Sequence, residues 1–197
     1  MPGSIKIDDG SGNYTILTNA GSLGSDKTIT IPNETGTLAT TTTSGIIQEA
    51  DQWKLNADLT SSHNPIAGSY FERNDTLSGM TGVKIGTGMS VDSTSGHWTF
   101  PSTGIWKVEF KGATYMTSYA GAYIYAYGTI NNGTAWTLIG NQNSQGQTTY
   151  DRGHPTMNLL LDIQDTSTHK IYFRFYDEGS GQLQESTTVD FVRYGDT

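Results

Sequence analysis

Apolar and polar residues alternate along the second two-thirds of the chain with a period of two. In Ile105 to Lys111, Trp106, Val108 and Phe110 fall on one face and Lys107, Glu109 and Lys111 on the other. In Ile171 to Tyr176, the residues Ile171, Phe173 and Phe175 oppose Tyr172, Arg174 and Tyr176. The run Ala120 to Ile130 alternates Tyr123, Tyr125 and Tyr127 with Ala122, Ile124 and Ala126, then meets Asn131-Asn132-Gly133 before a returning strand at Ala135 to Gly140. Successive side chains of a strand point to opposite sides, so this pattern predicts half-buried antiparallel strands joined by tight turns. Several such hairpins over 67–197 predict a sandwich or jelly roll.

The first 43 residues read differently. Short β-like pieces, Ser4 to Ile7, Tyr14 to Thr18 and Lys27 to Ile31, are separated by Gly, Asp, Asn and Ser clusters. Each holds two or three apolar residues, too few to close a core, so an extended leader over 1–43 is expected to need a partner surface, with disorder in isolation the alternative. Between leader and head, residues 44–66 contain the one stretch with helical spacing. Ser44 stands as a cap, and Ile46, Ile47, Ala50 and Trp53 share a stripe. That predicts a short helix whose stripe docks either on its own head or on symmetry mates. Pro65 and Gly68 mark the end of this linker.

Composition supports strands and turns. There are 30 Thr, 18 Ser and 24 Gly in 197 residues. A formal charge of -8 with no Lys/Arg cluster disfavours direct nucleic-acid binding. Cysteine is absent, which removes disulfides, thiolate metal sites and a Cys nucleophile. The opening residues lack the basic and apolar regions of a signal peptide, and no window approaches roughly 18 apolar residues, so bilayer insertion is not expected.

One motif is more specific. Pro101, Gly104, Trp106, Val108 and Phe110 stand in the places of the F-x-x-P-x-x-G-x-Y-x-V-x-F signature, with Trp106 where Tyr is usual and Phe100 directly before the Pro instead of three residues before it. The segment resembles C1q/TNF-like jelly rolls. In the leader, Lys27 to Thr40, with Ile29, Ile31, Pro32, Gly36 and Leu38, is similar to the TLP-x-x-x-GTLA signature of phage tail-fibre and virion-appendage proteins. The pair of resemblances implies an all-β virion protein, a homotrimer about a threefold axis. Its leader would bind other virion proteins, of tail or capsid, through those five leader residues, and its head would be exposed. Ile46, Ile47, Ala50 and Trp53 would then be trimer contacts below the heads. Two roles follow: attachment to a host-surface glycan or protein as a tail fibre or tip, or a structural capsid fibre, decoration or tail-assembly part. Tyr115, Tyr119, Trp136 and Tyr150 are the aromatic candidates for receptor contact.

Candidate chemistry is sparse. His63, His97, His154 and His169 have no partner at metal-ligand spacing, no cofactor fingerprint is present, and no nucleophile elbow, zincin helix or P-loop occurs. A calcium ion held by Asp162, Asp165 or Asp177 would need scattered loop oxygens to converge. No catalytic or metal site is expected.

Overall fold

The computed structural model describes residues 4–8, 14–18, 47–74, 84–146 and 150–196. The chain divides into two units, Met1–Thr42 and Thr43–Thr197. In the first, β1 (Ser4–Asp8) pairs antiparallel with β2 (Tyr14–Thr18), Ile5 opposite Leu17 and Ile7 opposite Thr15. The leader residues Ile29, Ile31, Pro32, Gly36 and Leu38, and the expected strand Lys27 to Ile31, lie outside the described residues.

The second unit is built from thirteen described strands. They are β3 (Ala50–Leu55), β4 (Phe71–Arg73), β5 (Ser90–Val91), β6 (Trp98–Thr99), β7 (Gly104–Lys111), β8 (Thr114–Met116), β9 (Gly121–Thr129), β10 (Thr137–Gln145), β11 (Asp151–Gly153), β12 (Thr156–Ile163), β13 (Lys170–Asp177), β14 (Gly181–Leu183) and β15 (Thr188–Gly195). A first sheet has the order β12-β7-β15-β3-β4 and a second the order β10-β9-β13-β6-β5, while β11-β8-β14 form a small third sheet. Every pairing is antiparallel. The chain passes repeatedly from one large sheet to the other, which is the winding of a jelly roll.

Alternation decides which face of each strand is inside. Trp106, Val108 and Phe110 of β7, Phe173 and Phe175 of β13, and Val189 and Phe191 of β15 are each at most 1% exposed. Trp98 lies at the centre, touching Phe71 at 5.1 Å, Phe191 at 4.9 Å and Phe173 at 6.3 Å between ring centroids. Such buried aromatic rings supply most of the apolar area that holds two sheets face to face. A shift of one residue in any strand would turn this set to solvent, so the register is strongly fixed.

The motif around Phe100 works locally as its residue types suggest. Phe100 and Trp106 meet edge to face at 5.3 Å, and Trp106 Nε1 donates to Ser102 O at 3.1 Å. Gly104 has φ +129°, and a Cβ there would sit 2.3 Å from the Gly195 carbonyl oxygen. Only glycine fits where the start of β7 meets the end of β15. The turn after β9 needs positive φ at Asn132 (+56°) and Gly133 (+88°), and Thr129 Oγ1 accepts from Asn131 N and Gly133 N at 3.2 Å.

The expected helix in 44–66 is not formed. Residues 50–55 instead make β3, inserted between β15 and β4, with Asp51, Trp53 and Leu55 facing inward. The alternation was hidden because one of its three inward positions is charged. Asp51 is buried, accepting from Arg73 Nε and Nη2 at 3.2 and 3.1 Å and from Met89 N at 2.8 Å. Arg73 in turn lies 4.4 Å from the Trp53 ring. Partner strands on both sides outweigh a three-turn helical pattern that is marginal alone. Among the described residues the only helical turn is a 3₁₀ turn at Gly68–Tyr70.

Candidate functional site

Because both large sheets bury one face against each other, function falls to their outward faces and edges. On the first sheet, the outward row near the C-terminal end of β7 is a net of paired charges. Lys111 Nζ lies 2.6 Å from Asp190 and 3.4 Å from Glu109, Lys107 lies 3.4 Å from Glu109, and Lys54 lies 3.0 Å from Glu72. Glu109 and Asp190 are direct cross-strand neighbours, a repulsive pair that the two lysines neutralise. The hydrogen bond to Asp190 raises the Lys111 ammonium above its ordinary pKa.

The other half of that face is apolar. Leu160 opposes Lys107, which opposes Val192, which opposes Ala50, and Ala50 bridges to Ile85. Leu160 is 69% exposed, Tyr194 57%, Ile85 44% and Ile47 42%. Next to it, the edges of β10 and β12 enclose a cavity of about 310 Å³ lined by Ile130, Ile139, Leu161, Ile163 and Ile171, with Asp162, His169 and Lys170 among its polar residues. His169 Nδ1 accepts from Gln164 N at 3.1 Å, and Asp162 Oδ2 from Gln164 Nε2 at 2.9 Å, so both are engaged by the turn between β12 and β13.

The outward face of the second sheet is aromatic. Tyr127 and Tyr172 lie opposite each other with rings 4.9 Å apart and nearly parallel, while Tyr123 and Tyr176 are paired at 5.9 Å. Between them Arg174 opposes Tyr125, its guanidinium 5.3 Å from that ring and 5.4 Å from the Tyr176 ring. His97 and Trp136 close one end of the row, each packing on Tyr172. Burial, and secondarily Lys170, lowers the His97 pKa, and burial raises that of the Tyr172 phenol.

The sequence-predicted residues scatter over this frame. Trp136 belongs to the aromatic face and meets the His97 ring at 4.7 Å, tilted by 48°. Tyr115 of the small third sheet meets Tyr150, in the turn just before β11, at 6.1 Å, with Arg152 5.9 Å from the Tyr115 ring. Tyr119, 83% exposed, stands apart beside Gly121 and Glu178. Of the residues assigned to a helical stripe, Trp53 is buried in its own head, Ala50 is half-buried in β3, Ile47 is exposed, and Ile46 lies outside the described residues. The helical stripe therefore does not exist as a surface. Sequence reasoning missed the row Tyr123, Tyr125, Tyr176 and Arg174. Its period of two was visible, but β13 carries rings on both faces, so alternation alone does not say which of them is outside.

Among the described residues no three His, Asp or Glu side chains converge as a metal set. Asp165 and Asp177 instead cap their own turns, Asp165 Oδ1 accepting from Ser167 N at 2.8 Å and Asp177 Oδ1 from Gly179 N at 2.8 Å. No described helix is long and apolar enough to cross a membrane.

Comparison with solved structures settles the architecture. The chain is similar to Eiger TNF from S. frugiperda, with a TM-score of 0.56 and 13% identity over 75% of this chain and 93% of that one. The fold is a TNF-like jelly roll. Murine APRIL gives a TM-score of 0.52 at 8% identity for the structure at pH 5.0, and 0.50 at 9% identity at pH 8.5, each over 74% of this chain and 98% of that one. No protein-family model and no curated protein matches the sequence. The C1q/TNF-like fold expected from Phe100 to Phe110 is thus present. The TNF-like jelly roll places the charged and apolar halves on one broad surface and the tyrosines on the opposite one.

Proposed function

We propose that this chain is a non-enzymatic, homotrimeric appendage of a phage particle, its leader bound to other virion proteins and its head displayed for attachment to a host surface. The observation that carries the assembly is the exposed apolar half of the first sheet, with Leu160, Tyr194, Ile85 and Ile47 in solvent in a single chain. An apolar patch beside a polar net is the anatomy of a subunit interface. Closed symmetry lets three such faces bury one another, and the threefold arrangement is what the C1q/TNF resemblance implies. Burying the first sheet leaves the aromatic face of the second sheet outward. The virion assignment is supported by the resemblance of Lys27 to Thr40 to fibre leaders.

Light scattering on residues 44–197 tests assembly, with a stable trimer at micromolar concentration expected and a monomer overturning it. Immunogold labelling of particles tests placement. Label at the tail supports attachment. Label on capsid axes would replace it with a decoration role, and no label would remove the virion reading.

A further inference from the structure

We propose that the outward face of β9 and β13 binds an acidic glycan, with Arg174 holding the acid group and Tyr123, Tyr125 and Tyr176 contacting the sugar rings. This deepens the attachment reading and rests on it for its biological setting.

The face is pinned by what lies behind it. Ala122, Ile124 and Ala126 of β9 and Ile171, Phe173 and Phe175 of β13 are all at most 2% exposed, so the alternate positions take the outward face, where Tyr176 is 37% exposed and Tyr172, under His97 and Trp136, 9%. Solvent positions of a sheet are served well by Thr or Lys. Here they carry Tyr123, Tyr125 and Tyr127 on one strand and Lys170, Tyr172, Arg174 and Tyr176 on the next, with Tyr123 and Tyr125 rings 6.3 Å apart and within 14° of parallel.

Arg174 is the decisive residue. Its Nε is buried and makes no hydrogen bond, and among the described residues its guanidinium has no carboxylate partner. Lys170 is likewise without an ion pair among the described residues. On the opposite sheet Lys54, Lys107 and Lys111 all pair with acids. Glu178 accepts from the Tyr123 hydroxyl at 3.2 Å at one end of the row, so in a chain of charge -8 the attraction for an anion centres on Arg174 and the Lys170 side of the face. A guanidinium held against rings keeps its fork oriented with donors unspent, which suits the two oxygens of a carboxylate or the oxygens of a sulfate.

The rest of the face selects a sugar. Asn141 and Asn143 of β10 stand opposite Tyr125 and Tyr123, placing amides beside phenols where a ligand rich in hydroxyls needs donors and acceptors. A nucleic acid brings a phosphate with every base and would need a continuous row of cations. An extended peptide would seek a free strand edge, and β9 and β13 are paired on both sides.

The test uses the full chain against polygalacturonate, heparin, neutral dextran and poly-glutamate, by calorimetry. Binding to at least one of the acidic polysaccharides is expected; binding to polygalacturonate shows that a carboxylate suffices, and binding to heparin alone that sulfate is required. Arg174→Gln should weaken it about tenfold or more. Tyr176→Ser, at the more exposed end and clear of the core, should weaken it as well, and Lys111→Gln on the other sheet should leave it unchanged. No binding to either polysaccharide, equal binding to dextran or poly-glutamate, or binding indifferent to both variants overturns the proposal. If the trimer and the tail label persist while binding fails, only this face is refuted. If binding holds while particle label is absent, the attachment reading falls and the glycan site stands.

Discussion

Trp53 and Trp98 meet at right angles across the sandwich, one from each large sheet, with ring centroids 5.2 Å apart. The contact joins the strand that opens the head to the centre of its core. Replacing Trp98 by Ala should cost about 3–5 kcal/mol, and Trp53 by Ala somewhat less because 8% of it reaches solvent. A double-mutant cycle by urea denaturation should return a coupling of about 0.5–1.5 kcal/mol. Trp98→Phe should be far milder than Trp98→Ala, since the indole Nε1 it removes is buried without a partner. Equal losses for Phe and Ala would contradict the packing described.

Assembly should depend on the apolar half of the first sheet. Leu160→Asp combined with Tyr194→Asp should convert trimer to monomer in light scattering. The circular-dichroism spectrum should be retained, because both side chains are more than half exposed in one chain. Loss of folded signal together with the trimer would mean that these positions serve the monomer fold instead.

Much of the head was legible because its strands obey a plain alternation. Trp106, Val108 and Phe110 declare one buried face of β7, and the Phe100 to Phe110 motif narrows a generic sandwich to the C1q/TNF type. Strand β3 was not legible. Its inward Asp51 is acceptable only because Arg73 and the Met89 amide, 22 and 38 residues away, come to meet it. The aromatic site was half legible. The spacing of Tyr123, Tyr125 and Tyr127 was plain, but the pairing of Arg174 with Tyr125 depends on the register between β9 and β13, which no local pattern contains.

Acid should destabilise the head in two separate windows. Burial lowers the pKa of His63 and His97, so the unfolded chain binds more protons than the folded one near pH 6.5. Their contribution is fully present above pH 6.5 and fades as pH falls through the lowered folded values. Asp92 and Asp165, held low mainly by bonds from Ser95 and Ser167, contribute above their ordinary carboxylate range and fail only in stronger acid. Urea midpoints measured from pH 8 to 5 should therefore fall, and the double variant His63→Gln, His97→Gln should flatten that slope. An unchanged slope would assign the loss elsewhere.

Gly104→Ala should destabilise by about 1–3 kcal/mol through positive φ and collision with the Gly195 carbonyl. Gly179→Ala makes a useful comparison. It shares φ +129° but has open space around it, so the difference in melting temperature between the two isolates the collision.

The chain enters the head at β3, and β3 is an interior strand. Val192 flanks Ala50 on one side and Ile85 on the other, with Arg193 N donating to Glu49 O at 2.9 Å just before the strand begins. Tension drawn along the incoming chain would therefore have to slide β3 past two neighbours at once, breaking both ladders together, whereas a strand on the rim would peel away bond by bond. In the attachment proposed above, a head joined to its leader through such a strand would resist being unravelled by a pull between the leader and a ligand on the tyrosine face.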